Sequence, residues 1–193
     1  MSLLRALINP FRSWFGSLKV KAGVYLVLIR FPTLKIDRPT VWRFDTLRAL
    51  DIGKEVVVGS FTEIVAYSRS PKSRIAGKLI LGDRVFLGAG CNIRAAGGVI
   101  AIGSNTLVSQ GVAIIAANHT VTLNTDYRDL GWEEGKTGVR IGSNCWIGAG
   151  CILLPGVSIG DNSVIGAGSV VSKQVPENEI WAGVPARFLK KVT

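Results

Sequence analysis

Histidine occurs once in the 193 residues, at position 119, and cysteine three times, at 91, 145 and 151. There is no CxxC pair and no Cys/His cluster, so the spacing that builds a zinc site is missing and no metal is expected. An odd, scattered set of thiols without a leader-type cleavage pattern points to a reducing compartment, and the expected location is the cytoplasm. Long apolar runs are missing too. The nearest, Val20 to Ile29, contains Lys21 and falls short of the roughly 20 residues that span a bilayer. Acidic side chains are scarce: 13 Asp and Glu stand against 23 Lys and Arg. Residues 1–48 alone hold nine basic residues against Asp37 and Asp45, a local excess of +7 out of +10. Such a basic end suits a lipid surface or a phosphate-bearing molecule, and ordinary solubility charge is the plainer alternative. A nucleic-acid partner is not expected.

What is plentiful is aliphatic residues and glycine, and they keep a period of six. Aliphatic residues open successive units at Ile52, Val58 and Ile64, then at Ile75, Leu81, Leu87, Ile93 and Val99. After a three-residue slip the count runs Ile102, Val108, Ile114, and after a longer break Ile141, Ile147, Leu153, Ile159, Ile165, Val171. Gly follows the aliphatic in most units. The fifth place is small or β-branched: Thr62, Val85, Cys91, Thr106, Val112, Cys145, Cys151, Val157, Ser163, Ser169, Val175. One aliphatic and one small residue per unit can point inward from a short strand, and Gly or a small polar residue can turn the corner where φ is positive. Three units make one triangular coil, and stacked coils share a hydrogen-bond ladder at about 4.8 Å. No coil buries its own interior, so several must stack. All three cysteines take the inward fifth place and are expected to be small buried packing residues, not nucleophiles.

With these units in view, the chain resembles the hexapeptide-repeat acyltransferases, and among them the galactoside/maltose/xenobiotic O-acetyltransferases and their relatives in polysaccharide biosynthesis. The resemblance covers about Ile75 to Val192. It is carried by ILLPGVSIG, IGAGSVVSK and AGVPAR, in that order and spacing within Val139 to Lys191. It implies an all-β fold, a left-handed parallel β-helix, and a homotrimer with its sites in clefts between neighbouring prisms. The expected organisation is a basic, amphipathic, helical segment over 1–50, the β-helix over 51–180 with an excursion loop at about 119–139, and a C-terminal tail over 181–193. In the first segment Leu3, Leu4, Leu7, Ile8, Phe11, Trp14, Phe15 and Leu18 follow helical spacing. That segment can cap an open coil, or residues 1–30 can rest on an anionic membrane surface from the cytoplasmic side.

The excursion interrupts the repeat just after Asn118 and His119. A polar departure of about twenty residues from a tight solenoid costs ordering entropy and is more often a functional loop than an accident. Imidazole titrates near neutrality, so it can take a proton from a hydroxyl and return it to a leaving thiolate. In the resembled family the His at this junction is the general base, which makes His119 the catalytic candidate. The resemblance also implies an acceptor-binding role for Asn92, although it reads equally well as a corner residue. Asn118, next to the candidate base, is the second acceptor-binding candidate and could help hold the imidazole. It assigns the acyl donor, acetyl-coenzyme A, to Trp146, Ala167, Ser172, Lys173, Arg187 and Lys190, with Lys190 standing where relatives often carry Arg. Small residues at Gly166–Gly168 would admit the pantetheine arm, and the cations would meet phosphates.

The expected function is an acetyl-coenzyme A-dependent O-acetyltransferase acting on a sugar hydroxyl in surface polysaccharide or glycoconjugate biosynthesis, by direct transfer. The alternatives are an N-acetyltransferase of an amino sugar, a xenobiotic (chloramphenicol-type) acetyltransferase and, in a different class, a non-catalytic β-helix scaffold. A β-helix carbonic anhydrase needs three histidines on zinc and is set aside.

Overall fold

A computed structural model describes residues 23–193. Short strands, most of them carrying an inward aliphatic, wind into three parallel faces. Face I holds Lys35–Ile36, Val57–Val58, Phe86–Leu87, Leu107–Val108, Trp146–Ile147, Val164–Ile165 and Glu179–Gly183, and ends on the antiparallel strand Ala186–Lys191. Face II holds Val41–Phe44, Glu63–Tyr67, Asn92–Ala96, Ala113–Ile115, Ile152–Leu153 and Val170–Val171. Face III holds Leu50–Ile52, Lys78–Leu81, Val99–Ile102, Val139–Ile141 and Val157–Ile159. The chain visits I, II and III in turn, and the fold is a left-handed parallel β-helix.

Register stacks like on like. Val108 lies over Ile147, Ile114 over Leu153 and Ile141 over Ile159. The large side chains of this column, such as Leu79, Ile93, Ile114, Ile147 and Ile165, are fully buried, each contributing about 1.5–3 kcal/mol of hydrophobic stabilisation. Every fifth-place residue named above is buried as well. The hydroxyls among them are satisfied by carbonyls: Thr62 Oγ1 donates to Gly88 O at 3.0 Å, Thr106 Oγ1 to Gly142 O at 2.8 Å and Ser163 Oγ to Pro176 O at 2.8 Å. The three cysteines are buried, and burial pushes each thiol above its ordinary pKa.

Three details differ from the expectation. The glycine after the aliphatic is not where φ turns positive; that falls two residues later, at Asn144 (φ 54°) or Gly150 (φ 67°). The second-place glycine answers a close approach instead, since a Cβ on Gly148 would lie 2.5 Å from the backbone nitrogen of Ala167 in the next coil. The unit frame at Ile75 and Val99 is also displaced. Both are only half-buried, and the inward residues are Leu79 and Ile100: the chain leaves the coil between Tyr67 and Lys78, and the Gly97–Gly98 corner between Ala96 and Val99 shifts the phase again. Finally, the coils start before residue 51. Lys35 pairs with Val57, Val41 with Glu63 and Leu50 with Leu79. This first coil escapes the hexad pattern because Leu34 and Trp42 fill its interior in place of a regular aliphatic and small pair.

Residues 23–30 are helical. Val24, Val27 and Phe31 pack with Leu34 and Trp42 in the core and so cover the open first coil. The helical pattern over Leu3–Leu18 lies outside the described residues. Among the described residues no helix is long and apolar enough to cross a membrane.

Candidate active site

Two excursions leave the coils at the same corner, between faces II and III. The shorter joins Glu63–Tyr67 to Lys78–Leu81, and the longer joins Ala113–Ile115 to Val139–Ile141. They clasp each other. Trp132 N donates to Lys72 O at 2.8 Å, and Lys72 Nζ donates to Arg128 O at 2.6 Å. The Glu134 carboxylate accepts from Arg74 N at 2.6 Å, Ser73 Oγ at 3.0 Å and Arg74 Nε at 3.2 Å. These bonds, the Arg74 N–H first, hold the Glu134 carboxyl below its ordinary pKa.

Inside the longer excursion, His119 forms a bridge to Trp132, reinforced by Glu133 N donating to Asn118 O at 2.9 Å and Thr120 N to Gly131 O at 3.1 Å. Trp132 presents its ring edge-on to the imidazole, with centroids 6.3 Å apart and planes at 83°. The indole rests on Gly97, where a Cβ would have no room. His119 is therefore aimed through its backbone, by a tryptophan seated on the neighbouring coil.

The imidazole faces a cleft of about 680 Å³ on the outer surface of face II. Its floor is built from two outward columns of the sheet: Val65, Arg94 and Ile115 in one, Tyr67 and Ala96 in the next. Asp45, Arg69, Ser70 and Pro71 form the far rim, with His119 and Trp132 opposite. Burial alone would raise the Asp45 carboxyl. Bonds from Ser68 Oγ (2.7 Å), Ser68 N (2.9 Å) and Arg69 N (3.1 Å) outweigh it and keep the group below its ordinary pKa.

Of the sequence candidates, only His119 lines this cleft. Asn118 is exposed at the start of the excursion. Asn92 lies two residues before Arg94 on the floor strand, and its Nδ2 donates to Glu63 Oε2 at 3.3 Å. Trp146 is half-exposed on face I, with Nε1 donating to Ser109 Oγ at 3.1 Å. Ala167 is exposed at the corner between faces I and II. Ser172 and Lys173 follow Val170–Val171, at the corner from which both excursions leave but in the last coil. Arg187 and Lys190 project from the terminal antiparallel strand, Lys190 opposite Ile180. One chain thus holds Trp146, Ala167, Arg187 and Lys190 away from the candidate base, while Ser172 and Lys173 share its corner in a later coil. Asp45, Tyr67, Arg69 and Arg94 are site residues that the sequence reading did not name. The available signal was the gap in the hexads between Arg69 and Ile75, at the same repeat phase as the longer break.

A triangular solenoid interrupted by loops that wall a histidine-bearing cleft defines a repeat-built transferase scaffold. A family model described as bacterial transferase hexapeptide (six repeats) matches residues 138–173, and one described as hexapeptide repeat of succinyl-transferase matches residues 78–122. The chain is 32% identical over 152 residues to the putative colanic acid biosynthesis acetyltransferase WcaF of Escherichia coli (strain K12), covering 78% of this chain and 75% of that protein. It is 42% identical over 93 residues to the galactoside O-acetyltransferase of the same strain, covering 48% of this chain and 44% of the relative. Apart from WcaF, the chain spans about half the length of the curated relatives it matches. In structure it superposes on AntD, an N-acyltransferase from Bacillus cereus in complex with dTDP and 3-hydroxybutyryl-CoA, with a TM-score of 0.67, 21% identity, and coverage of 83% of this chain and 81% of AntD. The chain belongs to the hexapeptide-repeat acyltransferases.

Proposed function

We propose that this protein is an acetyl-coenzyme A-dependent O-acetyltransferase acting on a sugar hydroxyl, in the cytoplasm, in surface polysaccharide or glycoconjugate assembly. The observation that carries the reading is the single histidine, held at the mouth of a cleft that two clasped excursions wall off. In the reaction, His119 takes the proton of the acceptor hydroxyl as its oxygen attacks the thioester carbonyl. The tetrahedral intermediate collapses with loss of the coenzyme A thiolate, which recovers the proton from the imidazolium. An acyl-cysteine route finds no support, because all three thiols are buried and burial raises their pKa.

The residues present suit the donor. Ala167 is exposed between Gly166 and Gly168, leaving backbone open to a pantetheine arm beside Trp146, and Ser172 stands next to Lys173. Lys173, Arg187 and Lys190 are exposed cations available to phosphates. Because Trp146, Ala167, Arg187 and Lys190 lie away from His119 on one chain, the proposed site is completed between copies, and the assembly proposed is a homotrimer. A column of outward apolar residues on face I, Phe86, Leu107 and Trp146, supports packing between prisms. Asn92 and Asn118 would contact the acceptor from the margins of the cleft. Exposed Tyr25, Leu26 and Ile29, near Arg30 and Arg38, support contact of residues 1–30 with an anionic membrane surface.

The reading is tested by following thiol release from acetyl-coenzyme A over a panel of sugars and nucleotide sugars, with wild type beside His119→Ala. Acceptor-dependent turnover that disappears in the variant is the expected result. No turnover, together with no coenzyme A binding by calorimetry, would favour a non-catalytic scaffold.

A further inference from the structure

Charged groups around the cleft are not symmetrically engaged. Arg43, Arg69 and Arg94 stand on face II and the rim, with Asp45 and Glu63 among them. Both carboxylates are already bonded to the protein. Asp45 receives the Ser68 hydroxyl and the Ser68 and Arg69 backbone N–H groups. Glu63 receives Arg94 Nη2 at 3.0 Å and Asn92 Nδ2 at 3.3 Å, while its other oxygen faces Arg43 Nε at 3.5 Å. One carboxylate therefore serves two guanidinium groups.

The cations are less fully used. A guanidinium carries five N–H donors, and Arg94 directs one terminal nitrogen at Glu63 while its half-exposed side chain lies on the floor between Val65 and Ile115. Arg69 pairs with no carboxylate among the described residues and stands exposed on the rim. The nearby Lys72 ammonium, by contrast, is tied to the Arg128 carbonyl. The cleft thus offers free cationic donors and engaged anionic acceptors, with Tyr67 on its floor and Trp132 at its rim.

Such a lining complements a ligand that brings negative charge. Carboxylate and phosphoryl groups accept the planar guanidinium fork, whereas a neutral sugar presents hydroxyls that also need acceptors. We propose that the acceptor is an anionic sugar, whose carboxylate or phosphoryl group is held by Arg69 and Arg94 while a ring hydroxyl meets His119. The proposal rests on the transferase reading above and adds the charge class of the acceptor.

Glucose, glucuronate and glucose 1-phosphate form a matched panel for the test. Binding is measured by calorimetry on His119→Gln, which separates recognition from turnover, and kcat/KM is measured on wild type and Arg69→Gln. The expected result is a preference of about tenfold or more for one charged sugar over glucose, the scale of a charge-assisted hydrogen bond. That preference should collapse in Arg69→Gln, with the loss falling on KM more than on kcat and the melting temperature retained. Arg94→Lys, which keeps the charge but not the fork, should retain only part of it. The charged sugar that wins distinguishes carboxylate from phosphoryl recognition. Turnover of glucose equal to that of both charged sugars would overturn the proposal and leave the transferase standing. Selective binding of a charged sugar with neither turnover nor coenzyme A binding would uphold the charge class and remove the transferase. Binding of none of the charged sugars would overturn the proposal outright.

Discussion

His119 is exposed, and its ring packs edge-on to Trp132, so replacing it disturbs little of the fold. His119→Gln is therefore expected to lower kcat by about 10²–10⁴-fold, the usual worth of a general base, with an unchanged thermal melt. A parallel fall in melting temperature would point to a structural histidine instead. Two glycines make a sharper test of the packing. Gly90 has φ +70° and open space where a Cβ would go, so Gly90→Ala should cost about 1 kcal/mol of backbone strain. Gly148 has ordinary φ, but its Cβ would press on the Ala167 backbone, so Gly148→Ala should cost about 3 kcal/mol by forcing coils apart. Urea denaturation of the two variants under identical conditions checks the order. The reverse order would mean that turn strain, not coil spacing, limits the glycines.

The two excursions act as one unit because Glu134 joins them. Its carboxyl pKa is lowered in the folded protein, so the stabilising contribution is present above the ordinary carboxyl pKa and is lost as pH falls through the lowered one. Proteolytic nicking between residues 117 and 138, measured with a protease active at both acid and neutral pH and normalised to an unfolded substrate, should therefore rise in wild type on acidification. Glu134→Gln should be nicked more readily already at neutral pH and show less added response to acid; identical profiles for both proteins would sink the clasp. How much of this was legible in the sequence follows from phase. The longer excursion and His119 stand out because they break a strict repeat. The shorter one shows only as a few residues missing from the count, and its pairing with the longer one depends on which coils come to lie side by side. Arg94 gave no signal at all, since it takes an ordinary outward place on a strand. Only the walls raised on either side turn that place into a cleft floor. The donor candidates came from resemblance to relatives, not from any pattern in the residues themselves.

Because each coil rests only on its neighbours, the interior is one continuous column that runs through all three faces. Cys91 sits in that column in one coil and Cys145 and Cys151 together in a later one, and all three should resist thiol reagents in the native protein and label together on cooperative unfolding. Early labelling of Cys91 alone would reveal unzipping from the helical end. The assembled protein should have a mass about three times the 20.6 kDa of one chain by light scattering, the outcome expected if the site is completed between copies. The ends of the column differ from its middle. At one end the helix over 23–30 closes the first coil with Val24, Val27 and Phe31. At the other, Ala186–Lys191 reverses direction and places Arg187, Lys190 and Lys191 along the outermost strand of face I. A fibre grows when the top of one unit offers what the bottom of the next can continue. In this molecule the top runs backwards and is charged while Val24, Val27 and Phe31 cover the first coil, so neither end offers an open strand of the kind that continues a fibre, and the proposed trimer is expected to form through its flanks.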